Sequence, residues 1–238
     1  MNERCDGKID CPADSSDEDN CHLFVLNPGY KSTFPPSTNE ENDKAQVKVS
    51  IHIKNVAHVK ELSMEFEVCV KIIMEWYDQR IDFRNLKKDE KLNVINSKEL
   101  RDSLWLPSLL FQNSNSRERT QIDEEASLVV RRLGKSKPND LTEIHEDSIY
   151  SGSENPLILS RYYTVKLNCL FELKYYPFDK QRCPIMLEIP FELKTQMNLT
   201  MEKEPTHDHL DSFYFNYTGV DGQVNGSGVI VIVINMVR

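Results

Sequence analysis

No stretch of this 238-residue chain is apolar for the roughly 20 residues that a membrane-spanning helix needs. The longest apolar run, VIVIVI from Val229 to Ile234, is only strand length. The opening MNERCDGKID is polar and carries no signal-peptide core. Basic charge is also in short supply: 29 Lys and Arg stand against 38 Asp and Glu, a net charge of -9. That balance argues against the basic stripe of a nucleic-acid surface and fits solubility or cation binding. No long helical period, nucleophile motif, H-E-x-x-H or phosphate-cradling loop occurs. An enzyme is therefore not expected.

What the chain does have is period-two alternation. In QVKVSIHIK, Val47, Val49, Ile51 and Ile53 alternate with polar residues, the pattern of a half-buried strand. A turn is expected across Asn55–Leu62, followed by a second strand in MEFEVCVKIIMEWYDQRIDF. There Met64, Phe66, Val68, Val70, Ile72, Met74 and Trp76 share one face, while Glu65, Glu67, Cys69, Lys71, Ile73 and Glu75 share the other. Further strands read at ASLVVRRL, LILSRYYTVKLNCLFEL, PIMLEI, DSFYFNY and VIVIVINMV, separated by Gly, Pro and Asn clusters. Many punctuated strands point to an all-β sandwich or barrel. The polar, proline-bearing segment 22–45 reads as a linker or loosely ordered entry. Asn198, Asn216 and Asn225 each head an N-x-S/T sequon, which leans toward glycosylation and secretion.

The first 21 residues are different. RCDGKIDCPADSSDEDNC packs three cysteines among acidic residues, and crowded carboxylate oxygens are what Ca²⁺ requires. This segment resembles the second half of an LDL-receptor class A repeat. The resemblance implies calcium ligands at Asp6, Asp10, Asp17 and Glu18 and a Cys5–Cys21 bridge; no other cofactor is expected. One extra residue separates Cys11 from Asp17, and the repeat's first three cysteines are missing. Cys11 thus lacks its usual partner, and the sequence is expected to be cut through the repeat.

In CLFELKYYPFDKQRC, Cys169 and Cys183 enclose thirteen residues with Tyr176, Pro177, Phe178, Asp179 and Gln181 inside. A bridge closing about 15 residues contributes on the order of 3 kcal/mol in the chain-entropy model and would hold an irregular loop in one shape. The stretch resembles the signature loop of the Cys-loop receptors, the pentameric ligand-gated ion channels. The resemblance continues in WYDQRI, which matches a W-x-D-x-R-L pattern at Trp76, Asp78 and Arg80. It continues again in LWLPSLLFQN, which matches W-x-P-D at Trp105 and Pro107 with Ser108 in place of Asp. INMVR resembles the final strand before the first transmembrane helix. Residues 46–238 are identified on these motifs as a ligand-binding domain. It is expected to be a Cys-loop receptor-type β-sandwich of about ten strands with immunoglobulin-like Greek-key character.

That resemblance implies a homo- or heteropentamer joined through the sandwich sides, on the extracellular face of the plasma membrane. Membrane contact would come only through helices absent from this sequence. A small molecule or ion would bind between subunits. One side of its pocket would carry Phe111 and Gln112, then Pro190, Phe191 and Glu192, then a loop from Tyr217 to Ser227. The other side would carry Lys71, Ile73, Ile158 and Ser160, with a loop spanning Glu202–Asp211. With Lys71, Gln112 and Ser227 at positions where such receptors place rings, no closed aromatic cage is expected. Phe191 and Tyr217 would edge a polar cleft, and amines would bind weakly. Anions, zwitterions, protons, or a Zn²⁺ ion on His207 and His209 remain the candidate activators. The gating end would comprise the turn at Val56–Glu61, the Cys169–Cys183 loop and Arg238. Arg238 is expected to pair with Asp179, or with Glu61, and the bond before Pro177 to be cis. The alternative is a soluble pentameric protein of the same fold that sequesters ligand. Cys69 and Cys11 are left either paired or free.

Overall fold

Strict alternation along Glu65–Trp76 becomes the centre of the molecule, with every second residue from Phe66 to Trp76 buried. The computed structural model describes residues 23–36, 44–95, 101–114, 121–122, 126–137, 148–208, 210, 215–224 and 228–238. In chain order the strands are β1 (Phe24–Leu26), β2 (Ala45–Lys60), β3 (Glu65–Trp76), β4 (Ile81–Arg84), β5 (Leu110–Phe111), β6 (Gln121–Ile122) and β7 (Ser127–Val130). They continue as β8 (Ile149–Ser151), β9 (Leu157–Asn168), β10 (Lys180–Glu188), β11 (Met197–Thr200), β12 (Thr206–His207), β13 (Asn216–Val224) and β14 (Ile230–Val237).

Three sheets result. The largest runs β11-β2-β3-β9-β6, with β12 added on β2 and β7 on β9. A second runs β13-β14-β10-β5, and a small third runs β1-β4-β8. One hydrophobic cluster joins them, drawing on Val47 to Ile53 of β2, the inner residues of β3, Ile185 and Leu187 of β10, and Ile230 to Met236 of β14. Each large apolar side chain buried there stabilises by about 1.5–3 kcal/mol. The sandwich is as expected. Its strands number fourteen among the described residues because several are only two to four residues long.

Three local readings change. The turn expected at Asn55–Leu62 is strand as far as Lys60, and the chain reverses only at residues 61–64. Register shifts between Ile53 and Asn55 and between Val56 and His58 keep β2 on β3 where the alternation lapses. Met64 closes the reversal with a positive φ of 55°. The segment read as linker supplies β1, with Phe24 buried, and Tyr30, whose hydroxyl accepts the Trp105 N–H at 2.8 Å. The glycine-bearing run from Thr218 to Val224, read as part of a loop, continues the strand and is paired along β14. Pairing with a neighbour outweighs weak intrinsic strand preference there.

The W-x-D-x-R motif is structural. Trp76 meets Trp105 edge-to-face at 6.0 Å. Buried Asp78 takes a two-pronged bond from Arg80, Nε to Oδ1 at 2.8 Å and Nη2 to Oδ2 at 2.7 Å. Arg80 also lies 4.5 Å from the centre of the Tyr30 ring.

Candidate functional site

At one end of the sandwich β9 passes into the loop between Cys169 and Cys183, which are joined by a disulfide. Both cysteines are buried, and Tyr176–Pro177 is cis. Inside the loop Gln181 is buried and fully used. Its Nε2 donates to Glu172 O at 3.0 Å and to Asp179 Oδ2 at 2.6 Å, and its Oε1 accepts Glu172 N–H at 2.9 Å. The chain reversal after β2 packs on this loop, with Cys169 N–H donating to Met64 O at 2.9 Å. Arg238, following β14, completes the cluster. Its backbone N–H donates to Asp179 O at 3.1 Å, its Nε lies 3.2 Å from Asp179 Oδ1, and its Nη2 pairs with Glu61 Oε1. The guanidinium is flanked by Tyr176 at 4.6 Å and Phe215 at 4.7 Å. Burial opposes its charge, yet Glu61 and then Asp179 outweigh that and hold Arg238 above the ordinary arginine range. Both carboxylates named from the sequence are therefore engaged at once. The same end exposes Leu62, Leu170, Tyr175, Tyr176 and Phe178.

The outward face of β2, β3 and β9 forms a second region. Lys71 and Ile73 are half-buried there, away from the core. Ile73 stands opposite Ser160, and Lys71 opposite Tyr162 on one side and His52 on the other. The Lys71 ammonium lies 5.5 Å from the Tyr162 ring centre. Tyr162 was missed in the sequence, although it shares a face with Ser160 two residues earlier. Ile158 departs from expectation. It sits between Glu75 and Val129 on neighbouring strands and is only 5 % exposed, so its side chain is closed to a ligand.

The residues expected on the other wall lie on the second sheet. Phe111 of β5 is buried edge-to-face on Tyr163 at 5.6 Å, and Gln112 beside it is exposed. Asn113, also missed, fixes this corner. Its Nδ2 donates to Asn168 O at 3.1 Å and Pro184 O at 2.8 Å, and its Oδ1 accepts Met186 N–H at 3.1 Å. Beyond β10, Pro190 is half-buried, while Phe191 (83 % exposed) and Glu192 stand open on a short 3₁₀ turn. Tyr217 is not with them. Phe111 is level with Leu187 and Leu187 with Ile230, whereas Tyr217 pairs with Met236. Six strand residues, about 20 Å, separate those levels. Tyr217 belongs to the Arg238 end and does not edge a cleft with Phe191. Ser227 lies outside the described residues.

Residues 201–208 leave β11 and return to the edge of β2, with Pro205 reaching the hairpin of β13 and β14. Thr206 and His207 pair with His52 and Ile53 of β2. His52 contacts Thr206 Oγ1 at 2.8 Å and Asp208 Oδ1 at 3.0 Å, and Lys54 Nζ donates to Asp208 Oδ2 at 3.2 Å. Lys54 first, then His52, hold the Asp208 carboxyl below the usual carboxylate range. Across the gap Gly222 leaves room for Pro205, since a Cβ there would lie 2.5 Å from Pro205 Cγ. His207 Nδ1 is 2.8 Å from Asp208 O. Among the described residues no three His, Cys, Asp or Glu side chains gather to hold a metal ion. His209, Asp6, Asp10, Asp17, Glu18, Cys5, Cys11, Cys21 and Asn225 lie outside those residues. Cys69 is a free, half-buried thiol on the outward face of β3.

The family model for the neurotransmitter-gated ion-channel ligand binding domain matches residues 22–227. The chain belongs to that family. Among relatives of this ligand-binding domain, a gamma-aminobutyric acid receptor beta-4 subunit of Gallus gallus is 24% identical over 77% of the chain and 30% of its own length. A serotonin-gated chloride channel of Caenorhabditis elegans is 22% identical over 66% of the chain and 28% of its own. A pH-sensitive chloride channel of Anopheles gambiae is 22% identical over 79% and 29%. The chain thus spans less than a third of the length of these relatives. No helix among the described residues is long and apolar enough to cross a membrane.

Proposed function

We propose that this ligand-binding domain serves a pentameric ligand-gated ion channel on the outer face of the plasma membrane, and that its ligand carries a carboxylate or other anionic group. The observation that carries the ligand class is Lys71 on the outward face of β3, half-buried and set over Tyr162. A cation in that position repels an amine and attracts an anion or the carboxylate end of a zwitterion. Within one chain the Lys71 face and the Phe111–Phe191 corner belong to different sheets. A neighbouring subunit, presenting its own corner to this face, would complete the pocket. The relative named for gamma-aminobutyric acid supports a zwitterionic ligand. The relative named for serotonin is the competing case.

The exposed apolar residues at the Arg238 end support a channel over a soluble sequestering protein. Leu62, Leu170 and Phe178 stand exposed at that end, where a second body could pack on them. Arg238, Asp179 and Glu61 would tie the β14 strand to that surface, so that movement of the hairpin reaches it. Exposed Asn198 and Asn216 suit the outer face, where sequons are glycosylated.

Calorimetry on the assembled domain with gamma-aminobutyric acid, glycine, glutamate, serotonin and acetylcholine tests the ligand class. Carboxylate-bearing compounds should bind, with affinity reduced about tenfold or more by Lys71→Ala. Micromolar binding of serotonin or acetylcholine that disappears with Phe191→Ala would overturn the reading.

A further inference from the structure

At the end of β3 remote from the disulfide loop, two loops border an open depression of about 540 Å³ lined by Lys88, Arg132, Leu133, Gly134, Lys135 and Ser136. We propose that it binds a small anionic ligand bearing a sulfate or phosphate on a ring-sized scaffold, at a site separate from the Lys71 face.

Two buried asparagines hold the walls in place. Asn93 accepts Lys87 N–H at 2.8 Å and donates through Nδ2 to Lys87 O at 2.9 Å and Val130 O at 3.0 Å, fixing the loop that carries Lys88. Asn155 Oδ1 accepts the N–H groups of Leu133 and Gly134 at 2.9 and 3.0 Å, and its Nδ2 donates to Ser151 O at 2.8 Å. Lys137 N–H, donating to Ile149 O at 2.7 Å, holds the far end of that loop. The backbone walls are therefore formed before any ligand arrives, which lowers the ordering cost of binding.

The charges around it are unevenly matched. Arg131 is paired with Glu75 and Glu90, each at 2.7 Å, and Lys137 with Asp82 at 2.7 Å. Lys88, Arg132 and Lys135 have no carboxylate partner among the described residues, although the whole chain carries -9. Arg132 is nonetheless held in position, lying 4.7 Å from the Tyr150 ring centre with Nη1 donating to Leu86 O at 3.1 Å. One carboxylate reaches the rim. Glu154 lies against Gly134, where a Cβ would come within 2.2 Å of its Oε2. Three cations and one carboxylate leave a positive surplus that suits the oxyanion head of a sulfate or phosphate ester, with the Ser136 hydroxyl as a further donor. The volume falls in the range of small-molecule sites and exceeds what a bare oxyanion fills.

Titration calorimetry of the 238-residue chain at low and at about 0.15 M salt tests this with four probes. They are inorganic sulfate, N-acetylglucosamine 6-sulfate, adenosine monophosphate and uncharged N-acetylglucosamine. At least one organic anion should bind saturably and more tightly than inorganic sulfate, and the tighter of the two identifies the source as sulfated sugar or nucleotide. Lys88→Gln with Lys135→Gln should weaken it about tenfold or more, and Glu154→Gln should strengthen it severalfold. Neither exposed substitution disturbs the fold, which circular dichroism checks. Absence of saturable binding by both organic anions, equal binding of the uncharged sugar, affinity no better than inorganic sulfate, or affinity unchanged in the double variant would each overturn the proposal.

Discussion

Arg238 and Lys71 are both cations set against tyrosine rings, at 4.6 Å from Tyr176 and 5.5 Å from Tyr162, yet their surroundings differ in kind. Arg238 lies between two rings with two carboxylates and a disulfide loop closed around it. Lys71 is half-buried on an open strand face with no carboxylate partner among the described residues. A buried charge such as Asp179 must be matched by its own chain or the fold suffers. A half-exposed charge can be left for something else to match. The first arrangement belongs to architecture and the second to recognition.

The sharpest way to break that contrast is to remove Asp179, the buried member of the Arg238 pair. Asp179→Ala leaves the half-buried Arg238 with Glu61 alone and strips buried Gln181 of a partner, so stability should fall by about 1–3 kcal/mol in urea denaturation. A loss below about 1 kcal/mol would mean that the cluster is not architectural. A third cation on a tyrosine ring extends the test. Arg80 lies over Tyr30, whose hydroxyl is pushed up to about 12 by burial and by the charge of Asp78. An unfolded tyrosine ionises near 10, so between pH 10 and about 12 the unfolded chain has lost a proton that the folded chain keeps. Stability from this group should therefore fall as pH rises through that window. Tyr30→Phe should flatten the fall, while costing about 1–3 kcal/mol at neutral pH by stranding the Trp105 N–H. An unchanged alkaline melting profile in the variant would refute the assignment. The smallest effect is expected at the recognition face. Lys71→Ala should move stability by no more than about 0.5 kcal/mol, and a thermal shift as large as that of Asp179→Ala would erase the distinction.

The architectural half was legible in the sequence because it is written in local patterns. Alternation placed β2, β3, β9, β10 and β14, and the resemblance carried by Cys169, Asp179, Gln181 and Cys183 picked out the disulfide loop. The recognition half was less legible, because it depends on which residues become neighbours across strands. Tyr162 matters only because the register places it beside Lys71. Tyr217 was misplaced because distance along a strand is invisible until its partner Met236 is known. Ile158 has the right parity for the outward face but is covered by its neighbours. The end of β2 was misread because two bulges sustain a pairing that the alternation no longer announces.

Gly222 has a consequence for how this sequence can drift. A methyl group there would collide with the Pro205 ring and would press on Met201 Cε at 3.0 Å. Residues in such contact do not contribute independently to stability. Alanine at 222 becomes tolerable once the ring at 205 has gone, while a smaller residue at 205 is open at any time. The two positions form a ratchet in mutational history, in which the proline must change first. A lineage that has lost Pro205 can fill position 222 and then cannot easily regain the proline.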